Sequence, residues 1–187
     1  MTRRSVLAIV FFLIGCRDHR VIQPTLALPR PGTPVPAFAF TLLDGSPLSV
    51  TDLRGKPAVL FLWSTHCPTS RAALAEYKTI QATYGERADV VLLSDDATQA
   101  ELSLLPRVLG DSGITGRVAL ARGELSKVFD QSRNAPERDT ARIEFVLPAY
   151  LLLDGNGRVV TRSWGPDAAM IRASLDSLLG KAADAGR

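Results

Sequence analysis

Between residues 38 and 180, unbroken apolar runs alternate with amphipathic ones. Phe38-Ala39-Phe40-Thr41-Leu42 alternates and runs into Asp44-Gly45, a hairpin turn signal, with Leu48 to Val50 as the returning strand. Ala58 to Trp63 is continuously apolar, the pattern of a strand covered on both faces. Pro68 to Tyr84 places Ala72, Leu74, Ala75, Tyr77 and Ile80 on one stripe and predicts a helix. Asp89 to Leu93 is the next buried strand, and 97–109 a second helix that Pro106 is expected to kink or end. A short strand is predicted over 117–120, a short helix over 123–130, and a polar, aperiodic loop over 132–142. Ala149 to Leu153, the turn Asp154-Gly155-Asn156-Gly157 and residues 158–163 form a hairpin, and 168–179 closes the chain as an amphipathic helix. No internal repeat is present. Strand–helix–strand–helix followed by hairpin and helix predicts an α/β domain, its central sheet covered by helices on both faces.

The first residues follow a different pattern. Arg3 and Arg4 precede an uncharged run from Ser5 to Gly15. These eleven residues are too few for a bilayer span, which takes about 20, but suit the apolar region of an export signal. Residues 1–15 are therefore expected to be a signal peptide. Residues 16–36 are expected to be a tether, because Pro24, Pro29, Pro31, Pro34 and Pro36 favour extended backbone. The domain follows over 37–180, with a tail at 181–187. His19 falls in the tether and is expected to be solvated.

The formal net charge of the 187 residues is +3, and two of the excess cations, Arg3 and Arg4, sit in the leader. A basic surface for nucleic acid is therefore not expected. There are two cysteines, Cys16 and Cys67, too few for a disulfide scaffold or a four-cysteine zinc site. No cofactor is implied. No second soft ligand can be placed beside Cys67 in the sequence, so no metal site is expected.

Leu13-Ile14-Gly15-Cys16 resembles the lipobox of bacterial lipoproteins: an aliphatic residue, a small residue, then cysteine. The resemblance implies cleavage before Cys16, acylation of its sulfur and amino end, and a membrane-anchored domain in the bacterial cell envelope. Several acyl chains anchor stably where one is marginal. Arg17 provides no retention aspartate after the cysteine, which favours the outer membrane where the cell has one. Thr2-Arg3-Arg4-Ser5-Val6-Leu7 has a faint twin-arginine character, with Val6 where that pattern prefers Phe, and leaves the export route open.

The candidate chemistry lies in Trp63-Ser64-Thr65-His66-Cys67-Pro68-Thr69-Ser70, which joins the buried strand to the long helix. Proline suits the first helical turn, so Cys67 is expected at the helix N-cap. The unpaired N–H groups and the dipole there favour a thiolate.

Several segments resemble, in order, the TlpA/ResA-like branch of the thioredoxin superfamily, grouped with the AhpC/TSA redoxins. These are Pro36-Ala37-Phe38 with Leu42-Leu43-Asp44-Gly45, then Leu53-Arg54-Gly55-Lys56-Pro57, then Leu62-Trp63-Ser64-Thr65-His66-Cys67, and finally Leu147 to Gly155. The resemblance implies a three-layer α/β/α sandwich with a mixed sheet and an N-terminal β-hairpin extension. It makes Pro148 a cis-proline facing Cys67. It further implies that Leu147 and Pro148 clamp a client backbone, with Trp63, Ser64, His66, Pro68 and Thr69 around the substrate.

The departures set the possible chemistry. The family's second cysteine, three residues after the first, is Ser70, and the acid often found six residues after the first cysteine is Ala73. Glu76, a helical turn further on, is expected to be a solvated charge. A dithiol reductase needs a resolving thiol, so a self-contained two-cysteine cycle is excluded within one chain. Three readings remain. In the first, Cys67 exchanges with a protein or low-molecular-weight disulfide, Ser70 assists the thiolate, and an external thiol resolves the product. The second is a one-cysteine thiol peroxidase, because Cys67-Pro68-Thr69 with Ser64 also resembles peroxiredoxins; Leu60 stands in place of their proline, and Arg142 is the candidate partner arginine. The third is a binding module without turnover.

Overall fold

The computed structural model describes residues 28–129 and 147–185. Among these residues, seven strands form one sheet in the order β2-β1-β5-β4-β3-β6-β7. In chain order they are β1 (Ala39–Leu42), β2 (Pro47–Ser49), β3 (Ala58–Trp63), β4 (Asp89–Ser94), β5 (Arg117–Leu120), β6 (Ala149–Leu153) and β7 (Val159–Trp164). The helices are α1 (Pro68–Ala72), α2 (Leu74–Tyr84), α3 (Gln99–Ser112), α4 (Leu125–Phe129) and α5 (Ala169–Ala185). Central β3 is parallel to β4 and antiparallel to β6, and β4 is parallel to β5. The sheet is thus mixed. The β1–β2 hairpin extends it by pairing antiparallel with β5.

All six β3 side chains are buried, which is why its sequence does not alternate. Leu60 and Leu62 join one core with Phe38, Phe40, Leu53, Leu125 and Phe129, beneath α4 and the N-terminal segment. Val59, Phe61 and Trp63 join the other, beneath α2, α3 and α5. Phe61 stacks on Tyr150 of β6 at 4.6 Å between ring centroids and on Tyr77 of α2 at 5.8 Å, which fixes the helix against the sheet.

Two helices differ from their sequence pattern. The stretch 68–84 is two helices, broken at Ala73 (ψ −6°), whose N–H reaches back to the carbonyls of Thr69 and Arg71. The buried stripe Ser70, Ala73, Leu74, Tyr77 passes through the break undisturbed, so periodicity cannot reveal it. Pro106 neither ends α3 nor confines it to 97–109, and the helix continues to Ser112. Pro106 is solvent-exposed while Leu105 and Leu109 are buried. The Leu102 carbonyl lacks the N–H that a residue other than proline would donate, and burial of the two leucines holds the helix through it. The predicted loop 132–142, the signal, the anchor and the tether as far as residue 27 lie outside the described residues. The rest of the expected tether, 28–36, is not a free spacer: Leu28 and Val35 are buried in the core, and Gly32 and Val35 N–H donate to the Val159 and Gly157 carbonyls. Among the described residues, no helix is long and apolar enough to cross a membrane.

Candidate active site

β3 and β4 are parallel and end side by side, with Trp63 opposite Ser94. Sites in open α/β sheets form beyond such carboxyl ends. The chain leaves β3 through Ser64, Thr65 and His66 and enters α1 with Cys67 as N-cap and Pro68 in the first turn. Cys67 is half-buried. Its Sγ accepts the N–H of Ser70 at 3.4 Å, and its thiol donates to the main-chain oxygen of Leu147, also at 3.4 Å. The Leu147–Pro148 peptide is cis. Ser70 is fully buried, and its Oγ has no hydrogen-bond partner among the described residues. A hydroxyl with spare donor capacity thus belongs to the residue whose N–H already caps the sulfur. Pro68 and Thr69 are exposed on the first turn of α1.

Trp63 and Ser64 differ from the expected substrate-facing role. Trp63 is fully buried in the helix-side core with Tyr77 and Leu74. Strand alternation turns it into that core and leaves no surface for a ligand. Ser64 is also fully buried, and its Oγ lies 3.4 Å from His66 Nε2. His66 itself is exposed and faces the α3 side, with Nδ1 3.2 Å from Glu101 Oε1 and 3.7 Å from Asp96 Oδ1. Glu76 is not a solvated charge: it bonds to Arg172 of α5. Cys16 and Arg142 lie outside the described residues.

Asp96 is the site residue that the sequence analysis missed. It is fully buried and accepts from Thr65 N–H (2.9 Å), Thr65 Oγ (2.9 Å) and Ser94 Oγ (2.6 Å). These bonds fasten the turn before Cys67 to the end of β4. Burial pushes the neighbouring Asp95 carboxyl up; the Leu125 N–H it accepts opposes this, and the charge of Asp96 adds to it. Glu101 closes a capping box with Thr98 at the start of α3. The N–H bonds it accepts from Thr98 and Ala97 hold its carboxyl below the usual range. Two signals were available: Ser94-Asp95-Asp96 at the end of an apolar run, and Thr98-Gln99-Ala100-Glu101 as a capping box. A recess of about 410 Å³, lined by Leu43, Gln81, Gly116 and Arg117 among others, opens where β4 and β5 begin. That is the opposite end of the sheet from Cys67.

The sequence pattern of the Redoxin family matches residues 30–179. The chain is 23% identical over 158 residues to the thiol-disulfide oxidoreductase ResA of Halalkalibacterium halodurans, covering 84% of this chain and 82% of that protein. ResA of Bacillus thuringiensis is 25% identical over 134 residues, 72% of this chain and 69% of its own length. Among solved structures, a thioredoxin-family thiol:disulfide interchange protein from Chlorobium tepidum aligns at TM-score 0.62 and 25% identity, covering 82% of this chain and 100% of its own. A DsbF homologue from Corynebacterium diphtheriae aligns at TM-score 0.60 and 19% identity, covering 83% and 94%; that likeness is one of fold.

Proposed function

The chain belongs to the Redoxin family, and from that premise we propose that it is a thiol–disulfide oxidoreductase working with a single sulfur, Cys67, and an external resolving thiol. The class of chemistry is that of the ResA proteins it is similar to. The observation that carries the reading is the surroundings of Cys67 Sγ. The sulfur is half-buried, accepts one N–H at a helix start, and lies beside a main-chain carbonyl. An extended client strand can lie along that carbonyl.

The Cys67 thiolate attacks one sulfur of a client disulfide. A new S–S bond joins Cys67 to the client, and the other client sulfur leaves as a thiolate that takes up a proton. Ser70 Oγ, buried without a partner, is the proposed donor to the charged sulfur, which the Ser70 N–H already reaches. Because residue 70 has no thiol, the mixed disulfide persists until a thiolate from another molecule attacks the client sulfur. That step returns Cys67 as thiolate and passes the disulfide to the new pair, so no net electrons are gained or lost by the protein. The client is a protein or low-molecular-weight disulfide. The same reading places the domain in the bacterial cell envelope, lipid-anchored through Cys16. It is supported by the leader and lipobox of the sequence. The peroxidase alternative draws less support, because the Ser64 hydroxyl is buried against His66.

The test is mass spectrometry of the protein after exposure to oxidised glutathione or disulfide-intact insulin. A persistent adduct on Cys67, absent in Cys67→Ser and cleared internally in Ser70→Cys, is expected. No adduct on Cys67 would overturn the reading.

A further inference from the structure

We propose that His66, Asp96 and Glu101 form a binding site for a first-row divalent cation, with zinc as the probe, beside the active thiol and without using it. One ligand atom from each residue lies within 4.8 Å of the others. His66 Nδ1 stands 3.2 Å from Glu101 Oε1 and 3.7 Å from Asp96 Oδ1. Around a tetrahedral zinc with bonds of about 2.0–2.1 Å, neighbouring ligand atoms are roughly 3.3 Å apart; the two separations from His66 Nδ1 are near that, and a small rotation of the Glu101 side chain brings the third pair into range.

In His66 and Glu101 the atoms pointing away from that focus are held, as ligand sets require. His66 Nε2 faces Ser64 Oγ at 3.4 Å; with the proton on Nε2, Nδ1 offers its lone pair. Glu101 Oε2 accepts from Ala97 and Thr98 N–H, both at 2.9 Å, which leaves Oε1 to the site. Asp96 is held by Ser94 through Oδ2 and by Thr65 through Oδ1, the same oxygen that faces His66. Asp96 is the most heavily bonded of the three and fully buried, so its main contribution is charge, with His66 and Glu101 as the principal ligands. His66 is 62% exposed, which gives an ion a route from solvent and room for water to complete the shell.

Charge points the same way. Asp95, Asp96 and Glu101 crowd one imidazole, and among the described residues no Lys or Arg pairs with any of the three. A divalent cation neutralises that excess. One imidazole nitrogen and two carboxylates suit zinc or manganese better than a soft ion such as Cu(I). The ligands bridge the turn before Cys67 to the first turn of α3, so an ion there also stiffens the approach to the thiol.

The experiment is calorimetric titration of the full chain with zinc chloride, in a Cys16→Ala, Cys67→Ala background that removes thiol binding. One equivalent of zinc is expected to bind, at least tenfold more weakly in Glu101→Gln and in His66→Ala, with circular dichroism confirming that both remain folded. No binding, or binding that both variants retain unchanged, would overturn the site and leave His66 and Glu101 as an ion pair only. The site does not include the sulfur. Loss of exchange activity therefore leaves it standing, and absence of zinc binding leaves the exchange reading intact.

Discussion

The sulfur of Cys67 lies 3.4 Å from the carbonyl oxygen of Leu147, a residue 80 positions further along the chain. The contact joins the start of α1 to the approach to β6 and makes the thiol part of a surface built from two distant segments. The same sulfur also caps α1. Serine is a strong N-cap, accepting the same N–H through oxygen. Cys67→Ser is therefore expected to keep stability within about 1 kcal/mol of the parent while abolishing disulfide adducts. Thermal unfolding and adduct mass spectrometry read the two effects separately. A collapse in stability would show that the sulfur packs more than it reacts.

Ser70 separates stability from reactivity in the opposite way. Its buried Oγ has no partner, and a buried polar group without a bond costs about 1–3 kcal/mol. Ser70→Ala removes that cost, so unfolding free energy should stay level or rise by about 1 kcal/mol. If Oγ donates to charged sulfur during exchange, adduct formation should slow about tenfold, the effect of losing one charge-assisted bond of about 1.4 kcal/mol. An unchanged adduct rate would remove Ser70 from the chemistry.

These features differ in how far the sequence alone revealed them. The order of strands and helices follows from local periodicity, and the position of Cys67 follows from an apolar run ending in Cys-Pro. The break at Ala73 is a single ψ that leaves the buried stripe intact, so no pattern records it. Trp63 could have faced either the site or the core. The choice depends on which sheet face α2 covers, and that requires β6 and Tyr150 in place. The Glu76–Arg172 bond spans 96 residues, beyond any motif. The direction of His66 depends on Glu101, which only the pairing of β3 with β4 brings near.

Asp96 is the support of the active turn. Asp96→Ala would leave Thr65 N–H, Thr65 Oγ and Ser94 Oγ without their buried acceptor. Leaving such donors unsatisfied is expected to cost about 3 kcal/mol, seen as a lower denaturation midpoint with an unchanged slope. Thr65→Val, which removes one donor and keeps the acceptor, should cost less. Equal losses would place the effect in Thr65 packing instead of the Asp96 network.

Asp52 gives a pH signature outside the site. It sits in the 3₁₀ turn Val50–Leu53 that leads into β3, and its Oδ2 accepts both the Oγ–H and the N–H of Ser49 at 2.7 Å. The Ser49 side chain first, and its N–H next, hold the Asp52 carboxyl below its ordinary value of 3.8. The unfolded chain therefore takes up this proton at higher pH than the native state does. Stability rises with pH through the window between the two values and falls as pH drops through the native one. Asp52→Ala lacks the group and should melt below the parent at pH 7, by a gap that stays constant down to about pH 4. Below that the gap should narrow as the parent's Asp52 protonates. Thermal melts of both proteins between pH 7 and pH 2 check it. A gap that holds constant or widens toward pH 2 would mean that Asp52 stabilises the turn by packing and not through its charge.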